Sequence, residues 1–124
     1  LIDTNVFLEV LLTQEKRGIC KKFLNENIGE LYISDFSLHS IGVILFKNNK
    51  EEIFRKFADD VLTKINILSL SKEPYKDLAG YKTAFGLDFD DAYQFGIAKT
   101  HALQIVTMDV DFKRIAHEVK VLFL

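Results

Sequence analysis

The sequence contains few of the features that mark secreted or membrane proteins. It has a single cysteine, Cys20, so no internal disulfide can form, and no Cys/His spacing indicates a zinc site. The longest apolar runs, such as residues 40–46, are far shorter than the roughly 20 residues of a membrane span. No segment has the pattern of a signal peptide. These absences predict a protein of the reducing cytoplasm that does not contact a membrane, with Cys20 buried.

An excess of basic charge is also missing. The chain has 16 lysines and arginines against 18 aspartates and glutamates, for a net charge of −2. It therefore lacks the general basic character that drives tight, non-specific binding to nucleic acid, and any such contact must be local. Small basic clusters occur at residues 16–22, 47–50 and 113–114. Clusters of this size are more often solvated helix faces than binding sites.

Nothing in the sequence marks a linker, because no stretch is rich in proline, glycine or serine and no run is of low complexity. The 124 residues, of which 48% are hydrophobic, are enough for one core and too few for two ordinary domains. We therefore expect a single domain over residues 1–124.

Short apolar segments rich in β-branched residues alternate with longer segments of helical spacing. An example of helical spacing is Ile53, Phe57 and Val61. Strands that alternate with helices predict parallel strands joined by crossovers, with helices on both faces of the sheet. The predicted class is α/β, with a mainly parallel central sheet between two helical layers. The predicted strands are residues 1–3, 31–34, 65–70, 104–107 and 119–123.

Capping residues mark the starts of three predicted helices. Ser34 and Asp35 precede a helix that runs to about Lys47. Pro74 falls in the first turn of another helix, and Asp88 precedes a third that ends near residue 101. Each helix follows a strand or a loop close to one, as expected for crossovers in a parallel sheet.

Several aspartates lie just beyond predicted strands, where open parallel sheets gather their reactive groups. Asp3 follows the first strand, and Asp109 follows residues 105–107. Asp88, Asp90 and Asp91 crowd one loop and helix start. Acids in a first helical turn also stabilise the helix dipole, and this explains Asp88 well.

Asp91 fits a capping role less well, because the helix that follows it is nearly all apolar. Its one polar residue, Gln94, lies three positions later on the same face, which indicates a polar pocket. Asp3 and Asp109, taken singly, are also explained as turn residues that accept backbone hydrogen bonds. Three such carboxylates together repel one another unless a cation binds, and Mg²⁺ or Mn²⁺ suits oxygen ligands.

Three segments, taken in order, resemble the PIN-domain family. They are residues 1–7, Asp91-Ala92 at the start of the apolar helix, and residues 105–112. The last segment has the pattern Thr-x-Asp-x-Asp-Phe, which includes Asp111 and is more specific than the first. The resemblance covers nearly the whole chain.

PIN domains are α/β nucleases that cleave RNA with acidic residues and Mg²⁺ or Mn²⁺. Many are toxins of bacterial and archaeal toxin–antitoxin pairs, and they are often dimeric. The resemblance therefore implies an RNA substrate, a possible antitoxin partner and a homodimer. By motif position, Asp3, Asp91 and Asp109 are the catalytic and metal-binding acids, with Thr107 supporting Asp109 and Asn5 ordering the first loop.

The chain departs from the family at the second acid. Toxin-type members place a glutamate in the helix after the second strand, and Ser40 occupies that position here. Ser40 is able to hold a water-mediated ligand, His39 beside it is a possible Mn²⁺ ligand, and Asp35 is another substitute. His39 is more often a partly buried helix residue, and capping explains Asp35. The loss of one acid should weaken ion affinity and the activation of water.

The resemblance, together with the three acids, therefore implies a metal-dependent endoribonuclease of the kind that serves as the toxin of a toxin–antitoxin pair. The alternative is a weak or inactive PIN domain that binds RNA or a protein. Two other enzyme classes fit less well. A haloacid-dehalogenase phosphatase needs Asp-x-Asp after its first strand, where this chain has Asn5 in the second place. A response-regulator receiver needs paired acids there and a lysine after its last strand.

Overall fold

Two pairs of short parallel strands form the centre of the molecule. The structure is a computed structural model that describes residues 1–124. Strand β1 (Tyr32–Ser34) pairs with β2 (Asn66–Leu68). Strand β3 (Ile105–Thr107) pairs with β4 (Val121–Phe123). Both pairings are parallel, as the alternation of strands and helices predicted.

Residues 1–3 join the two pairs side by side. The Ile2 N–H donates to the carbonyl of Tyr32, the first residue of β1, at 2.9 Å. On the opposite side, the Asp3 N–H donates to the Val106 carbonyl in β3, also at 2.9 Å. The order across the sheet is therefore β2, β1, residues 1–3, β3, β4. The strand predicted over residues 1–3 was too long, because only Ile2 forms a bridge, with Val106.

Six helices surround the sheet, and their bounds agree with the predicted capping signals. Helix α3 ends at Lys47, Pro74 lies in a 3₁₀ turn (Glu73–Asp77) before α5, and Asp88 is the N-cap residue of α6. The helices are α1 (Thr4–Leu11), α2 (Arg17–Glu26), α3 (Asp35–Lys47), α4 (Glu51–Asp60), α5 (Leu78–Phe85) and α6 (Phe89–His101).

The sheet separates two apolar cores, because successive residues of a strand point to opposite faces. Ile2 and Val106 belong to one core, together with buried side chains from α1 to α4. Their chain neighbours Leu1 and Ile105 belong to the other core, which is filled by α5, α6 and a 3₁₀ helix (Val110–Ile115). The result is the expected arrangement of a sheet between two helical layers, with Cys20 buried in the first core.

Helix α6 is the most deeply packed helix, and it carries the acids of interest at its start. Residues 92–98 are all buried, which confirms the apolar character predicted for this segment. Gly96 permits a close approach, since a Cβ at that position would lie 3.4 Å from the side chains of Leu70 and Leu78. This packing fixes Asp90 and Asp91 relative to the sheet. None of the six helices combines the length and the apolar character that a bilayer crossing requires.

The end of α6 provides a test of the fold. Ala102 follows the last turn with φ 52° and ψ 45°, a left-handed conformation that costs an L-residue about 1–2 kcal/mol. We expect Ala102→Gly to raise the free energy of unfolding by about 1 kcal/mol, measured by urea denaturation. The control is Ala84→Gly, at an exposed site within α5, which should lower it by about 0.5–1 kcal/mol. A loss of stability in both variants would contradict this account.

Candidate functional site

Asp3 lies at the end of the central segment of the sheet, and its carboxylate is held from two sides. It is only 6% exposed. Its Oδ1 accepts a hydrogen bond from Gln94 Nε2 in α6 at 2.7 Å, and its Oδ2 accepts one from the Thr107 hydroxyl at 2.7 Å. Burial raises the pKa of Asp3, and the charge of Asp109 adds to this effect, whereas the two hydrogen bonds oppose it. The carboxylate is thus fixed in place at the junction of the sheet and α6.

Thr107, the last residue of β3, connects the other residues of the first and last motifs. Its hydroxyl donates to Asp3 and accepts hydrogen bonds from the Asp109 N–H at 2.9 Å and from Asn5 Nδ2 at 3.4 Å. Asn5 Oδ1 also accepts a hydrogen bond from the Met108 N–H at 3.3 Å. One fully buried hydroxyl therefore holds Asp3, Asn5 and the Asp109 main chain together.

Asp109 begins the 3₁₀ helix after β3, and its carboxylate Oδ1 accepts a hydrogen bond from the Asp111 N–H at 2.9 Å. The Asp111 side chain is half-exposed and forms an ion pair with Arg114 at 3.8 Å. Asp111 therefore supports Asp109 through its main chain, while its own carboxylate is engaged at the surface. An exposed pair of this kind contributes little to stability.

Asp91 lies in the first turn of α6 and is partly buried. It shares a tight group with Asp88 and Asp90, in which one oxygen of each carboxylate lies within 4.8 Å of the others. Burial raises the pKa of Asp91 to about 7, with further contributions from the charges of Asp90, Asp3, Asp109 and Asp88 in that order. Asp91 therefore interacts electrostatically with both other acids predicted for the site, Asp3 and Asp109.

The role of Asp88 differs from the predicted one. It occupies the N-cap position of α6, but its side chain makes no capping hydrogen bond. The carboxylate lies instead with Asp90 and Asp91. Sequence reasoning assigned Asp88 to capping because spacing alone places a residue at a helix start. It does not determine the rotamer of the side chain.

Gln94 supplies the observation that tests whether a cation suits this site. The residue is 2% exposed, and while its Nε2 donates to Asp3, its Oε1 is buried without any hydrogen-bond partner. An unpartnered buried carbonyl oxygen is costly, and an oxygen of this type is a ligand of Mg²⁺ or an acceptor for ion-bound water. Mutually repelling carboxylates beside such an oxygen form a donor set that fits a hard divalent cation.

The three candidate substitutes for the second acid lie on α3. Ser40 is half-buried in the second turn, and His39 is exposed. Asp35 Oδ1 accepts hydrogen bonds from the Tyr93 hydroxyl at 2.7 Å and from the Phe36 N–H at 2.8 Å. The N-cap hydrogen bond of α3 comes from Ser34, whose Oγ accepts from the Ser37 N–H. Asp35 therefore links α3 to α6, while Ser34 is the N-cap residue of α3.

Sequence reasoning missed the aromatic side chains beside these acids. Phe36, Phe89 and Tyr93 are mutual neighbours, with ring centroids 5.7–6.5 Å apart, and Tyr75 packs against Tyr93 at 5.9 Å. The Tyr93 hydroxyl accepts a hydrogen bond from the Leu70 N–H at 2.9 Å and donates to Asp35. The available signal was the spacing of Phe89 and Tyr93, since residues four apart share one helix face.

Removal of the Thr107 hydroxyl tests its role as the connection between the motifs. Thr107→Val keeps the shape but leaves Asp3 Oδ2 and the Asp109 N–H without this partner. We expect a loss of about 1–3 kcal/mol in the free energy of unfolding, measured by urea denaturation. Thr107→Ser retains the hydroxyl and should lose about 0.8 kcal/mol for the missing methyl group. The interpretation is wrong if the valine variant is no less stable than the serine variant.

The raised pKa of Asp91 predicts a pH dependence of stability in the ion-free protein. An unfolded aspartate ionises near pH 3.9, whereas Asp91 keeps its proton in the folded state up to about pH 7. The folded state therefore binds more protons between these values, so the contribution of Asp91 to stability is lost as pH rises through about 7. The asparagine of Asp91→Asn stays neutral at every pH.

The difference between wild type and Asp91→Asn in the free energy of unfolding isolates this effect. Urea denaturation in EDTA should show that the wild type loses stability relative to Asp91→Asn between about pH 4 and pH 7. Above about pH 7 the difference should stay constant. Asp59→Asn, at an exposed position on α4, controls for the loss of a negative charge. A difference that does not change with pH would contradict the prediction.

Comparison with known proteins identifies the family and proteins of similar fold. The family model of the PIN domain matches residues 1–118. A toxin-antitoxin complex from Klebsiella pneumoniae contains a chain with a TM-score of 0.76 and 21% identity, over 98% of this chain and 93% of that chain. FitAcB from Neisseria gonorrhoeae gives a TM-score of 0.74 and 20% identity, over 99% of this chain and 95% of that chain. No curated protein matches the sequence. The chain belongs to the PIN domain family.

Proposed function

We propose that this protein is a metal-dependent endoribonuclease that hydrolyses RNA phosphodiester bonds. PIN domains are generally nucleases that use divalent metal ions. The observation that carries the proposal is the unpartnered Oε1 of Gln94, buried beside the carboxylate of Asp3. Asp91 and Asp109 repel that carboxylate, so a cation would relieve the repulsion and satisfy the orphaned oxygen.

Asp3, Asp91 and Asp109 would hold Mg²⁺ or Mn²⁺ in this site. Such an ion, when bound, activates water and stabilises the charge that develops on a phosphate oxygen. Gln94 and Thr107 fix the rotamer of Asp3 through their two hydrogen bonds, so no free energy is spent to order it when a ligand arrives. Asp91 carries its proton below about pH 7 in the ion-free protein, so ion affinity should fall as the pH is lowered.

The same proposal includes a partner protein and a second copy of the chain. A structural neighbour over nearly the whole chain was solved as a toxin-antitoxin complex, which supports the role of a toxin held by an antitoxin. A homodimer in the cytoplasm is the assembly that we propose for this role.

A second candidate function rests on Ser40. A hydroxyl at the position of the second acid supplies no negative charge, so the site has less charge to hold an ion. A PIN domain weakened in this way would act as an RNA-binding or protein-binding module. Activity measurements distinguish the two functions directly.

Cleavage of a mixed pool of single-stranded RNA tests the main proposal. With Mg²⁺ or Mn²⁺ present, we expect the wild type to cut the pool and EDTA to stop the reaction. Asp91→Asn should reduce the rate by about 100-fold, because it removes a carboxylate that holds the ion. Asp59→Asn should leave the rate unchanged. If the wild type cuts no RNA with either ion, the binding-module function is the better one.

Substitution at Ser40 tests whether this position belongs to the same site. Ser40→Glu should tighten Mn²⁺ binding, measured by calorimetry, and speed up cleavage, because a new carboxylate would join the acids. Ser40→Gln has nearly the same size without the charge and should do neither. If the two variants behave alike, Ser40 lies outside the ion site and another group completes it.

A further inference from the structure

A pocket at the start of α6 is lined by four aromatic rings, three of which are exposed to solvent. Its volume is about 340 Å³, and its lining consists of Asp35, Phe36, His39, Tyr75, Phe89 and Tyr93. We call it the aromatic pocket. Phe89 is 58% exposed, Tyr75 is 46% exposed and Phe36 is 36% exposed. Large apolar rings left exposed together in this way indicate a surface that binds something.

The ring of Tyr93 is buried and held in a fixed position, and Phe89 stacks on it. Phe89 and Tyr93 lie one helical turn apart on α6, with an angle of only 26° between their planes. The Tyr93 hydroxyl is anchored by the Leu70 N–H and by Asp35 Oδ1, so this ring has little freedom to rotate away. A rigid aromatic surface binds a flat ligand at a low cost in conformational entropy.

The polar groups of the aromatic pocket favour a nucleobase as that flat ligand. The lining contains no lysine or arginine, so it offers nothing to neutralise a phosphate. The hydrogen bonds from Tyr93 and Phe36 both reach Oδ1 of Asp35, which leaves Oδ2 to accept from an amino or imino group. The exposed His39 adds another polar group at the rim. Stacking faces with hydrogen-bonding groups at their edge are typical of sites for unpaired bases.

The position of the aromatic pocket relates it to the proposed nuclease site. Phe89 stands between Asp88 and Asp90, and Tyr93 follows Asp91 by two residues, so rings and acids share the first turns of α6. We propose that the aromatic pocket stacks one unpaired base of a single-stranded RNA and thereby places the neighbouring backbone at the acids. This subsite rests on the proposed function, since it assigns a base-binding pocket to the substrate of that function.

Binding of a labelled RNA tests the subsite. The probe is a 5′-fluorescein single-stranded RNA of mixed sequence, followed by anisotropy with Ca²⁺ as the hard cation, and a gel shows that the probe stays intact. Phe89→Ala should weaken binding by about five-fold to 100-fold, the range for loss of one base–aromatic stack. Phe89→Leu should weaken it in the same way, because leucine keeps apolar area but has no aromatic face. Phe89→Tyr keeps an aromatic ring and should bind the RNA with wild-type affinity.

Two controls separate stacking from other effects. Phe46→Ala removes a ring that is 60% exposed on the same α3 surface but outside the lining of the aromatic pocket, and it should leave affinity unchanged. A duplex of the same sequence has its bases already stacked, so Phe89→Leu should not alter the binding of that duplex. Thermal melting of each variant shows whether the fold is intact.

Other results would overturn the subsite. One is a Phe89→Leu variant that binds and cleaves single-stranded RNA like the wild type, which would leave the proposed nuclease function standing. A second is a Phe89→Ala variant that is monomeric by light scattering, where the wild type is dimeric, but that binds RNA with unchanged affinity. That result would make this face an interface between two copies of the chain. If the wild type itself neither binds nor cuts RNA, the proposed function and the subsite both fail.

Discussion

The main-chain hydrogen bonds of residues 1–3 hold the two strand pairs of this protein side by side. Ile2 bonds to Tyr32, the first residue of β1, and Asp3 and Leu1 bond to Val106 in β3. Without this segment each pair would be a two-stranded ribbon, which is marginal by itself. Because the segment is central, its side chains enter both cores, and Asp3 emerges at the middle of the carboxyl edge. The architecture and the first acid of the site therefore depend on the same few atoms.

A buried carboxylate at that position has to be compensated. Desolvation raises the pKa of Asp3, while Gln94 and Thr107 each donate a hydrogen bond that replaces one lost to water. The compensation is incomplete at Asp91, where burial and four neighbouring acids act in the same direction. This uncompensated burial and repulsion destabilise the folded state, and the cation of the proposed function would relieve them.

The sequence predicted the class, the parallel pairing and the family, because these follow from the alternation of apolar periods and from motifs of fixed order. It also named Asp3, Asn5, Thr107 and Asp109, which the structure brings into one hydrogen-bonded network. It did not predict the direction of the Asp88 and Asp111 side chains, since rotamers depend on neighbours such as Arg114. The aromatic pocket was missed because α3, α6 and the turn that carries Tyr75 meet only in the folded chain.

The contacts of Gln94 and Thr107 leave the acidic site with many acceptors and very few donors. Gln94 Nε2 and the Thr107 hydroxyl are already committed to Asp3, and Asn5 Nδ2 is committed to Thr107. A site of this composition discriminates between ligands first by the sign of their charge. It attracts cations and repels an anion that is not accompanied by a cation. A nucleic-acid phosphate is such an anion, so under the proposed function the ion and the nucleic acid would each improve the affinity for the other. Thermodynamic linkage then requires that the two effects are equal in size. The factor by which nucleic acid raises the affinity for the ion is also the factor by which the ion raises the affinity for nucleic acid.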